Sequence, residues 1–372
     1  MTAAVVVFGA TGYTGRKTVA ELVQRGLRPT LAGRDGARLA ALAHQYGGLP
    51  TCVTDVQTPD ALRAVLRSGD ILVTTVGPFM RFGQAALDTA LATGAHYVDS
   101  TGEPAFIRRV FETAHTRAQA SGRTFLTAFG YDYVPGHTAA AAALEAAGPT
   151  ARRVDIGYFA ADGSAMSASE GTRASLVGAA LDPGLFWRGG RLVEDMGATR
   201  WCSFTVNGRD LDAVSVPGSE HLWLPASYPH LTDIGVYLGW FGKHSRTLAR
   251  ISRATAPVLS LQLVARGLKK VLPMPVSSGQ GPSDAELARS GSHIVASARD
   301  AHGRELARAE LIGTDGYSYT ARMLAWAAEA LARGAAKQAG ALGPLGAFGY
   351  PEMVEANREC GLKLSVSHPA RT

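Results

Sequence analysis

Hydrophobic residues in the first part of the chain alternate between short β-rich runs and longer segments with apolar residues at helical spacing. Such alternation is typical of parallel strands that are joined by crossover helices. The predicted strands are 4–8, 29–32, 51–54, 71–75, 97–99 and 124–128, and the predicted helices are 16–25, 37–46, 59–67, 84–93 and 105–120. We therefore predict an α/β fold in which residues 1–148 form a doubly wound Rossmann domain.

The pattern changes after Arg152, where strand-like runs follow one another without intervening helices. These runs are 154–160, 201–206, 213–216 and 234–238, followed by a predicted hairpin of 292–299 and 305–312. Two helical patterns, 245–271 and 317–333, interrupt the strands. We therefore predict that residues 149–372 form an α+β domain for substrate binding and oligomerisation, although helix 317–333 can instead pack back on the first domain. We expect a homodimer that associates through this sheet or through helix 245–271.

Composition narrows the class of protein. A length of 372 residues fits two domains, and no apolar run reaches the length of a membrane span. The three cysteines lie far apart without metal-binding spacing, and no basic segment precedes the first strand. The net charge of +6 is dispersed, which argues against a nucleic-acid partner. We expect a cytoplasmic protein without a metal site or an integral membrane span, while the basic helix 245–271 leaves peripheral membrane contact open.

A glycine-rich turn follows the first predicted strand and precedes the first helix. Gly9 permits a tight turn, Gly12 lets the backbone approach a pyrophosphate, and Gly15 allows close packing of helix and strand. The helix N-terminus then faces the phosphates. The spacing is GxxGxxG, and its position between strand and helix predicts a dinucleotide site. The predicted cofactor contacts in this loop are Gly9, Thr11, Gly12, Tyr13, Thr14 and Gly15.

The choice of nicotinamide cofactor depends on the end of the second strand. Arg34 stands where a guanidinium can bind a 2'-phosphate, which favours NADP over NAD. Asp35 can instead bind an unphosphorylated ribose, but it equally suits a helix N-cap. Asp55, after the third strand, is a predicted adenine contact or an ordinary turn residue.

A second turn follows the fourth strand, at the sheet edge where ligands bind. Its glycine and proline enforce the turn, and we expect the nicotinamide ribose to pass here. The predicted contacts are Val76, Gly77, Pro78 and Phe79.

Several segments together resemble the saccharopine dehydrogenase-like oxidoreductases, in particular the branch that contains trans-acting enoyl reductases. The resemblance extends over most of the chain and implies NADP as cofactor. It also implies that Gly102, Tyr131 and Asp132 lie near the nicotinamide. This chain has Gly136 and His137 where family members commonly have a serine and an aspartate, and 315–318 replaces a glycine-rich sequence. The segments that carry the resemblance are 9–15, 32–34, 76–79, 96–103, 131–135, 171–175, 279–283 and 319–324.

The sequence lacks HExxH and Gly-x-Ser-x-Gly motifs, which argues against metal-dependent and serine hydrolysis. Hydride transfer belongs to the cofactor, so the protein needs to supply only orientation and a proton. The candidate catalytic residues are Tyr131, Asp132, His137 and His221.

We therefore predict an NADPH-dependent reductase of a C=C (enoyl) bond, acting on a small-molecule or carrier-bound organic substrate. Imine or saccharopine-type reduction and a non-catalytic NADP sensor are the alternatives. A bulky, apolar substrate follows if the aromatic residues of the second domain face the nicotinamide, whereas those residues can also fill its core. These residues are Phe186, Trp187, Trp201, Trp223, Tyr237, Trp240 and Phe241.

Overall fold

A computed structural model describes residues 3–161, 183–259 and 281–369. The chain divides into two compact units, the first of 1–134 with 316–360 and the second of 135–315 with 361–372. In chain order the elements are β1 (Val5–Phe8), α1 (Tyr13–Gln24), β2 (Thr30–Gly33), α2 (Gly36–Gln45), β3 (Thr51–Val53), α3 (Asp60–Val65), β4 (Ile71–Thr74), α4 (Phe79–Thr93), β5 (His96–Asp99), α5 (Pro104–Ala120), β6 (Thr124–Leu126), α6 (Val134–Ala147), β7 (Arg153–Ala160), β8 (Pro183–Arg188), β9 (Arg191–Met196), β10 (Trp201–Val206), β11 (Arg209–Ser215), α7 (Glu220–Ser227), β12 (Asp233–Leu238), a 3-10 turn (Gly242–His244), α8 (Ser245–Leu259), α9 (Asp284–Leu287), β13 (Ser292–Arg299), β14 (Glu305–Gly313), α10 (Gly316–Ala332), β15 (Gly340–Ala341), α11 (Pro344–Phe348), α12 (Tyr350–Glu359) and β16 (Leu362–Ser367).

The first unit contains a seven-stranded sheet in the order β15-β6-β5-β4-β1-β2-β3. All neighbouring strands in it are parallel. The four residues of β1 and the four of β4 are buried, as expected for central strands that are covered on both faces. The order reverses between β1 and β4, which is the point where open α/β sheets bind their ligands. The predicted doubly wound sheet is confirmed, with β15 as an additional edge strand.

The helix α10 packs on α1 within the first unit. Tyr13 and Tyr317 meet edge to face with ring centroids 5.2 Å apart. The Arg25 guanidinium forms an ion pair with Glu329 at 2.6 Å. These contacts place 316–360 in the first unit, which matches the alternative left open for helix 317–333.

The first unit ends at Val134, where α6 begins, and α6 packs on residues of the second unit. Its Glu145 carboxylate accepts a hydrogen bond from the Tyr228 hydroxyl at 3.0 Å, and its His137 contacts Ser219 at 3.1 Å.

The second unit contains a mixed seven-stranded sheet in the order β10-β11-β12-β7-β13-β14-β16. Only β12 and β7 pair in parallel, and the predicted hairpin of β13 and β14 is present. A separate two-stranded hairpin joins β8 and β9. Phe159, Phe204 and Tyr237 lie in one buried apolar cluster of this unit. The predicted α+β character is confirmed.

Some predicted segments lie outside the described residues: 171–175, the helical pattern beyond residue 259, and the start of 279–283. Across the described helices, none combines the length and the apolar character needed to cross a bilayer.

Candidate functional site

The glycine loop after β1 is held tightly to the neighbouring strand. The Gly9 and Ala10 N–H groups both donate to the Ala32 carbonyl, at 2.9 and 3.2 Å. Gly9 has a φ of +89°, which favours glycine. A Cβ at Gly15 would stand 2.1 Å from the Gly9 carbonyl oxygen, so only glycine permits this packing of α1 against the loop. The predicted roles of Gly9 and Gly15 in shaping the turn are therefore consistent with the geometry.

The N-terminus of α1 opens directly from this loop. Gly12 is the N-cap residue and supplies no side-chain hydrogen bond to the helix. The first-turn N–H groups of a helix lack intrahelical partners and attract anions. Arg16 and Arg38 both donate to the Thr11 carbonyl, at 2.9 and 3.3 Å, which adds positive charge beside the loop. The arrangement fits a pyrophosphate.

Tyr13 and Thr14, also predicted as cofactor contacts, belong to the first turn of α1. The Tyr13 ring packs on Tyr317 and lies 5.5 Å from the Lys17 ammonium. The Thr14 carbonyl accepts a hydrogen bond from the Thr18 hydroxyl at 2.9 Å. The backbone N–H groups of both residues belong to the first turn of α1, which is suited to phosphate contact.

Arg34 directly follows β2 and its side chain is exposed. Within the part of the chain that the structure describes, it makes no hydrogen bond or ion pair. The neighbouring Asp35 is engaged, because its carboxylate accepts the Arg38 N–H at 3.0 Å and caps α2. Arg34 is thus available for a 2'-phosphate, and this distribution of roles fits NADP.

Asp55 lies in a turn after β3. Its carboxylate accepts the Gln57 N–H at 3.0 Å, and its backbone forms an isolated bridge with Thr58. The turn function offered as the alternative is therefore present, and an adenine contact stays a prediction.

The turn after β4 reaches the glycine loop. The Thr75 N–H donates to the Phe8 carbonyl at 3.0 Å, and the Thr75 hydroxyl donates to the Gly9 carbonyl at 3.3 Å. A Cβ at Gly9 would also stand 2.9 Å from a Val76 methyl group. Val76 therefore lies beside the loop, and contacts of Val76 and Gly77 with the nicotinamide ribose stay a prediction.

The start of α4 is capped by a residue from the next loop. The Glu103 carboxylate accepts the Phe79 and Met80 N–H groups, at 2.6 and 3.0 Å. The Phe79 ring lies 5.7 Å from Phe106 and is 7% exposed, so it belongs to the core of the unit. Pro78, just before α4, is the N-cap position of this helix. The Glu103 cap could not be predicted from local sequence, because Glu103 and the N-terminus of α4 belong to different strand connections.

Asp99 organises the loops after β5 and β6. Its carboxylate accepts the N–H groups of Thr101 and Ala128, each at 2.9 Å. Burial raises the pKa of Asp99 to about 6. This carboxylate was not among the predicted residues, although its position at the end of a central strand could have indicated it.

Asp132 lies in the loop after β6, against the loop after β5. A Cβ at Gly102 would stand 3.2 Å from Asp132 Oδ2, so the absence of a side chain at Gly102 leaves room for the carboxylate. No hydrogen bond or ion pair holds this carboxylate anywhere in 3–161, 183–259 or 281–369. Burial raises the pKa of Asp132 to about 6. The group can therefore carry a proton near neutral pH.

Tyr131 is a buried anchor of the same loop. Its N–H donates to the Thr320 hydroxyl at 3.0 Å, and its ring lies edge to face 6.2 Å from Tyr319. A catalytic role for its hydroxyl stays a prediction.

The two candidate histidines lie in the second unit and are almost completely buried. His137 Nε2 lies 3.1 Å from the Ser219 hydroxyl, and His221 Nδ1 accepts the Trp187 N–H at 3.2 Å. Burial lowers the pKa of each to about 3, with a further contribution at His137 from the charge of His221. Both imidazoles are therefore neutral at physiological pH.

Most of the second-unit aromatic side chains are packed rather than exposed. Phe186, Trp223, Tyr237 and Trp240 are buried, and Trp187 donates its indole N–H to the Leu231 carbonyl at 2.8 Å. Trp201 is 39% exposed. Packing in the core therefore accounts for the burial of four of them: Phe186, Trp223, Tyr237 and Trp240.

Comparison with known proteins adds to this geometry. Residues 5–151 match the family model described as the saccharopine dehydrogenase NADP binding domain. A protein of Mycobacterium tuberculosis (strain ATCC 25618 / H37Rv) named putative trans-acting enoyl reductase is 34% identical over 149 residues, covering 38% of this chain and 36% of the relative. A Mycobacterium leprae (strain TN) protein named trans-acting enoyl reductase is 35% identical over 137 residues, covering 35% of this chain and 33% of the relative. The chain thus covers little more than a third of these relatives' own length.

Among solved structures, the apo saccharopine dehydrogenase (L-Glu forming) of Saccharomyces cerevisiae superposes with a TM-score of 0.58 at 14% identity. The superposition covers 99% of this chain and 100% of the yeast chain, and at this identity it shows the fold alone. The comparisons confirm the predicted fold class, the resemblance to saccharopine dehydrogenase-like proteins and NADP as the cofactor of residues 5–151. An NADP-dependent oxidoreductase needs an NADP-binding domain, and residues 5–151 match the model of such a domain.

Proposed function

We propose that this chain is an NADPH-dependent reductase that transfers a hydride to the C=C bond of an enoyl substrate. The substrate is free or bound to a carrier, and we keep the prediction that it is bulky and largely apolar, although the buried aromatic residues of the second unit do not argue for it. The NADP-binding domain and the names of the partly aligned relatives support this proposal.

The observation that carries the proposal is the state of Asp132. Its carboxyl group has no partner within the described part of the chain, it lies beside Gly102, and its pKa is raised to about 6. A carboxyl group in this state can donate a proton near neutral pH. The loops of Gly102 and Asp132 follow β5 and β6, and the glycine loop follows β1 in the same parallel sheet. All three therefore leave the sheet at its carboxyl edge.

The division of labour follows from these positions. NADPH, when bound, supplies the hydride that reduces the β-carbon of the enoyl group. Arg34 binds the 2'-phosphate, and the N-terminus of α1 binds the pyrophosphate. Asp132 gives its proton to the α-carbon and becomes a carboxylate. One C=C π bond is lost, two C–H bonds form, and solvent returns the proton to Asp132.

The test combines a substrate panel with two variants. Loss of NADPH absorbance is followed with long-chain unsaturated thioesters, hydrophobic enones, cyclic imines and amino-acid imines. We expect turnover of the unsaturated compounds by the unmodified chain and a loss of about 100-fold or more in Asp132→Asn. Asp88→Asn, an exposed substitution on α4, is the matched control and should keep full activity.

The outcomes separate the alternatives. Turnover confined to amino-acid imines would indicate saccharopine-type chemistry. Binding of NADPH without turnover of any compound, including carrier-bound enoyl groups, would favour a sensor. Full activity in Asp132→Asn would remove Asp132 from the mechanism.

We also propose that the second unit mediates homodimerisation. Its sheet ends in the strands β10 and β16, which expose Trp201 (39%) and Val366 (45%). Open edge strands with exposed apolar side chains are suited to pairing between copies. Light scattering at micromolar concentration should give twice the chain mass, and a monomer would contradict this proposal.

A further inference from the structure

Positively charged side chains gather around a small cavity of about 20 Å³ in the second unit, beside a larger cleft of about 440 Å³. Its charged lining consists of Arg153, Arg188, Arg200 and Asp233. An adjoining cleft shares Arg188 and Arg200 and adds Arg253 and Asp195. The four arginines face two aspartates across these connected spaces. The lining therefore carries an excess of two positive charges.

Two of the arginines are already held by carboxylates. Arg188, at the end of β8, forms an ion pair with Asp195 on the paired strand β9 and lies 4.6 Å over the Phe186 ring. Arg153 forms an ion pair with Asp155 at 2.8 Å. These contacts orient both guanidinium groups and leave N–H groups of each for a further partner.

Arg153 belongs to an ion-pair network that supplies its negative charge. Arg299 also approaches the Asp155 carboxylate, at 3.5 Å, and pairs with Glu305 at 3.0 Å. Among the described residues, the lining arginines without an ion pair are therefore Arg200 and Arg253.

Arg200 differs from the other arginines because its guanidinium is uncommitted. Its backbone is fixed: the Arg200 N–H donates to the Ser215 hydroxyl at 3.1 Å, and the Arg200 carbonyl accepts the Ser215 N–H at 2.9 Å. Its side chain has no hydrogen bond or ion pair with any described residue. Partial desolvation, and then the nearby charge of Arg188, lower the pKa of Arg200, whereas Asp195 acts in the opposite direction; the side chain itself is exposed.

Arg253 completes the cleft from α8. Its Nε–H donates to the Thr199 carbonyl at 3.2 Å, which directs the guanidinium toward the residue next to Arg200. Arg200 and Arg253 are thus brought to one cleft from a strand connection and a helix that are distant in sequence.

We propose that Arg188, Arg200 and Arg253 form a binding site for the phosphate-monoester group of an organic ligand. Planar guanidinium groups bind phosphate oxygens in pairs of hydrogen bonds, and a phosphate monoester carries close to the two negative charges that the lining lacks. This site belongs to the second unit, and it is independent of the glycine loop and of the proposed hydride transfer.

Isothermal titration of the full chain with phenyl phosphate tests the site, with inorganic phosphate and glutarate as reference ligands. Arg200→Gln should weaken phenyl phosphate by about tenfold or more, because one set of charge-assisted hydrogen bonds is lost. Arg209→Gln, which removes an exposed charge from the same unit, should leave the affinity within about twofold. Thermal melting of each variant verifies the fold, and Arg253→Gln should repeat the loss.

Three results would overturn the proposal. The first is no heat of binding with the unmodified chain. The second is an equal loss in Arg200→Gln and Arg209→Gln, which would indicate general charge attraction. The third is tighter binding of glutarate than of phenyl phosphate, which would make the site one for carboxylates.

Discussion

Replacement of Asp132 by Asn should stabilise the protein at neutral and alkaline pH. The side chains have nearly the same shape, so the change removes the ionisable group with little change in packing. Burial raises the pKa of Asp132 from 3.8 to about 6, which means that ionisation of this group opposes folding. At 1.36 kcal/mol per pKa unit, the shift corresponds to at most about 3 kcal/mol once the group is fully ionised, and solvent contact of the partly exposed side chain lowers this figure.

The pH dependence gives this prediction its sign. Below about pH 4 the carboxyl group is protonated in both the folded and the unfolded chain, so Asp132→Asn should change the free energy of unfolding little. The penalty grows as the pH rises from about 4 to 6 and is complete above that range. Denaturant unfolding at pH 4.5, where about a third of the penalty is present, and at pH 8, where the penalty is complete, should show the larger stabilising effect at the higher pH.

The control is Asp88→Asn, which replaces an exposed carboxylate on α4 and should not produce this difference. Equal stability of Asp132→Asn and the unmodified chain at pH 8 would refute the reasoning, because Asp132 would then be stabilised by partners that offset its burial. Such a result would also remove the physical basis for a protonated Asp132 as donor.

Three further predictions follow from the same geometry. Arg34→Ala should weaken NADPH binding by about tenfold or more and NADH binding hardly at all, as measured by fluorescence titration, and equal losses would contradict the assignment of the 2'-phosphate. Gly15→Ala should destabilise the first unit by about 1–3 kcal/mol in denaturant unfolding, because its Cβ would stand 2.1 Å from the Gly9 carbonyl oxygen, and an unchanged midpoint would contradict that packing. The ring resonances of His137 and His221 should not titrate between about pH 5 and 8 in NMR spectra, because burial lowers the pKa of each to about 3, and a midpoint near 6.5 would show that they are solvated.

The cofactor loop was predictable because its determinants are local in sequence. An apolar strand, three regularly spaced glycines and a helix occupy 5–24, and Arg34 follows the next strand directly. Local backbone requirements fix these residue types, so one sequence is enough to recognise them. The same holds for the antiparallel pair β13 and β14, where two strand patterns flank a short connector.

Other elements carried too little pattern to be predicted. Helix α6 is rich in alanine and almost wholly buried over most of its length, so it has no polar face from which a helical period could be recognised. Strand β15 contains only two residues, Gly340 and Ala341, and depends on pairing with β6. The unit to which α6 belongs depends on contacts between residues distant in sequence, which a local pattern does not show.

The chemical state of a side chain was the least predictable feature. Tyr131, Asp132, His137 and His221 were equivalent candidates in the sequence. In the structure their protonation differs, because burial raises the pKa of an acid such as Asp132 and lowers the pKa of a base such as histidine. The arginines around Arg200 come from separate strands and a helix, so their spacing along the chain does not predict a shared cavity.

The central claim is hydride transfer from NADPH to an enoyl group with Asp132 as proton donor. Its most direct test is mass spectrometry of the product formed from a long-chain enoyl thioester with NADPH deuterated at the transferring position of the nicotinamide. The account predicts one deuterium at the β-carbon, a solvent-derived hydrogen at the α-carbon, and loss of this product in Asp132→Asn with NADPH binding retained. A product without deuterium at the β-carbon, or an undiminished yield in Asp132→Asn, would contradict it.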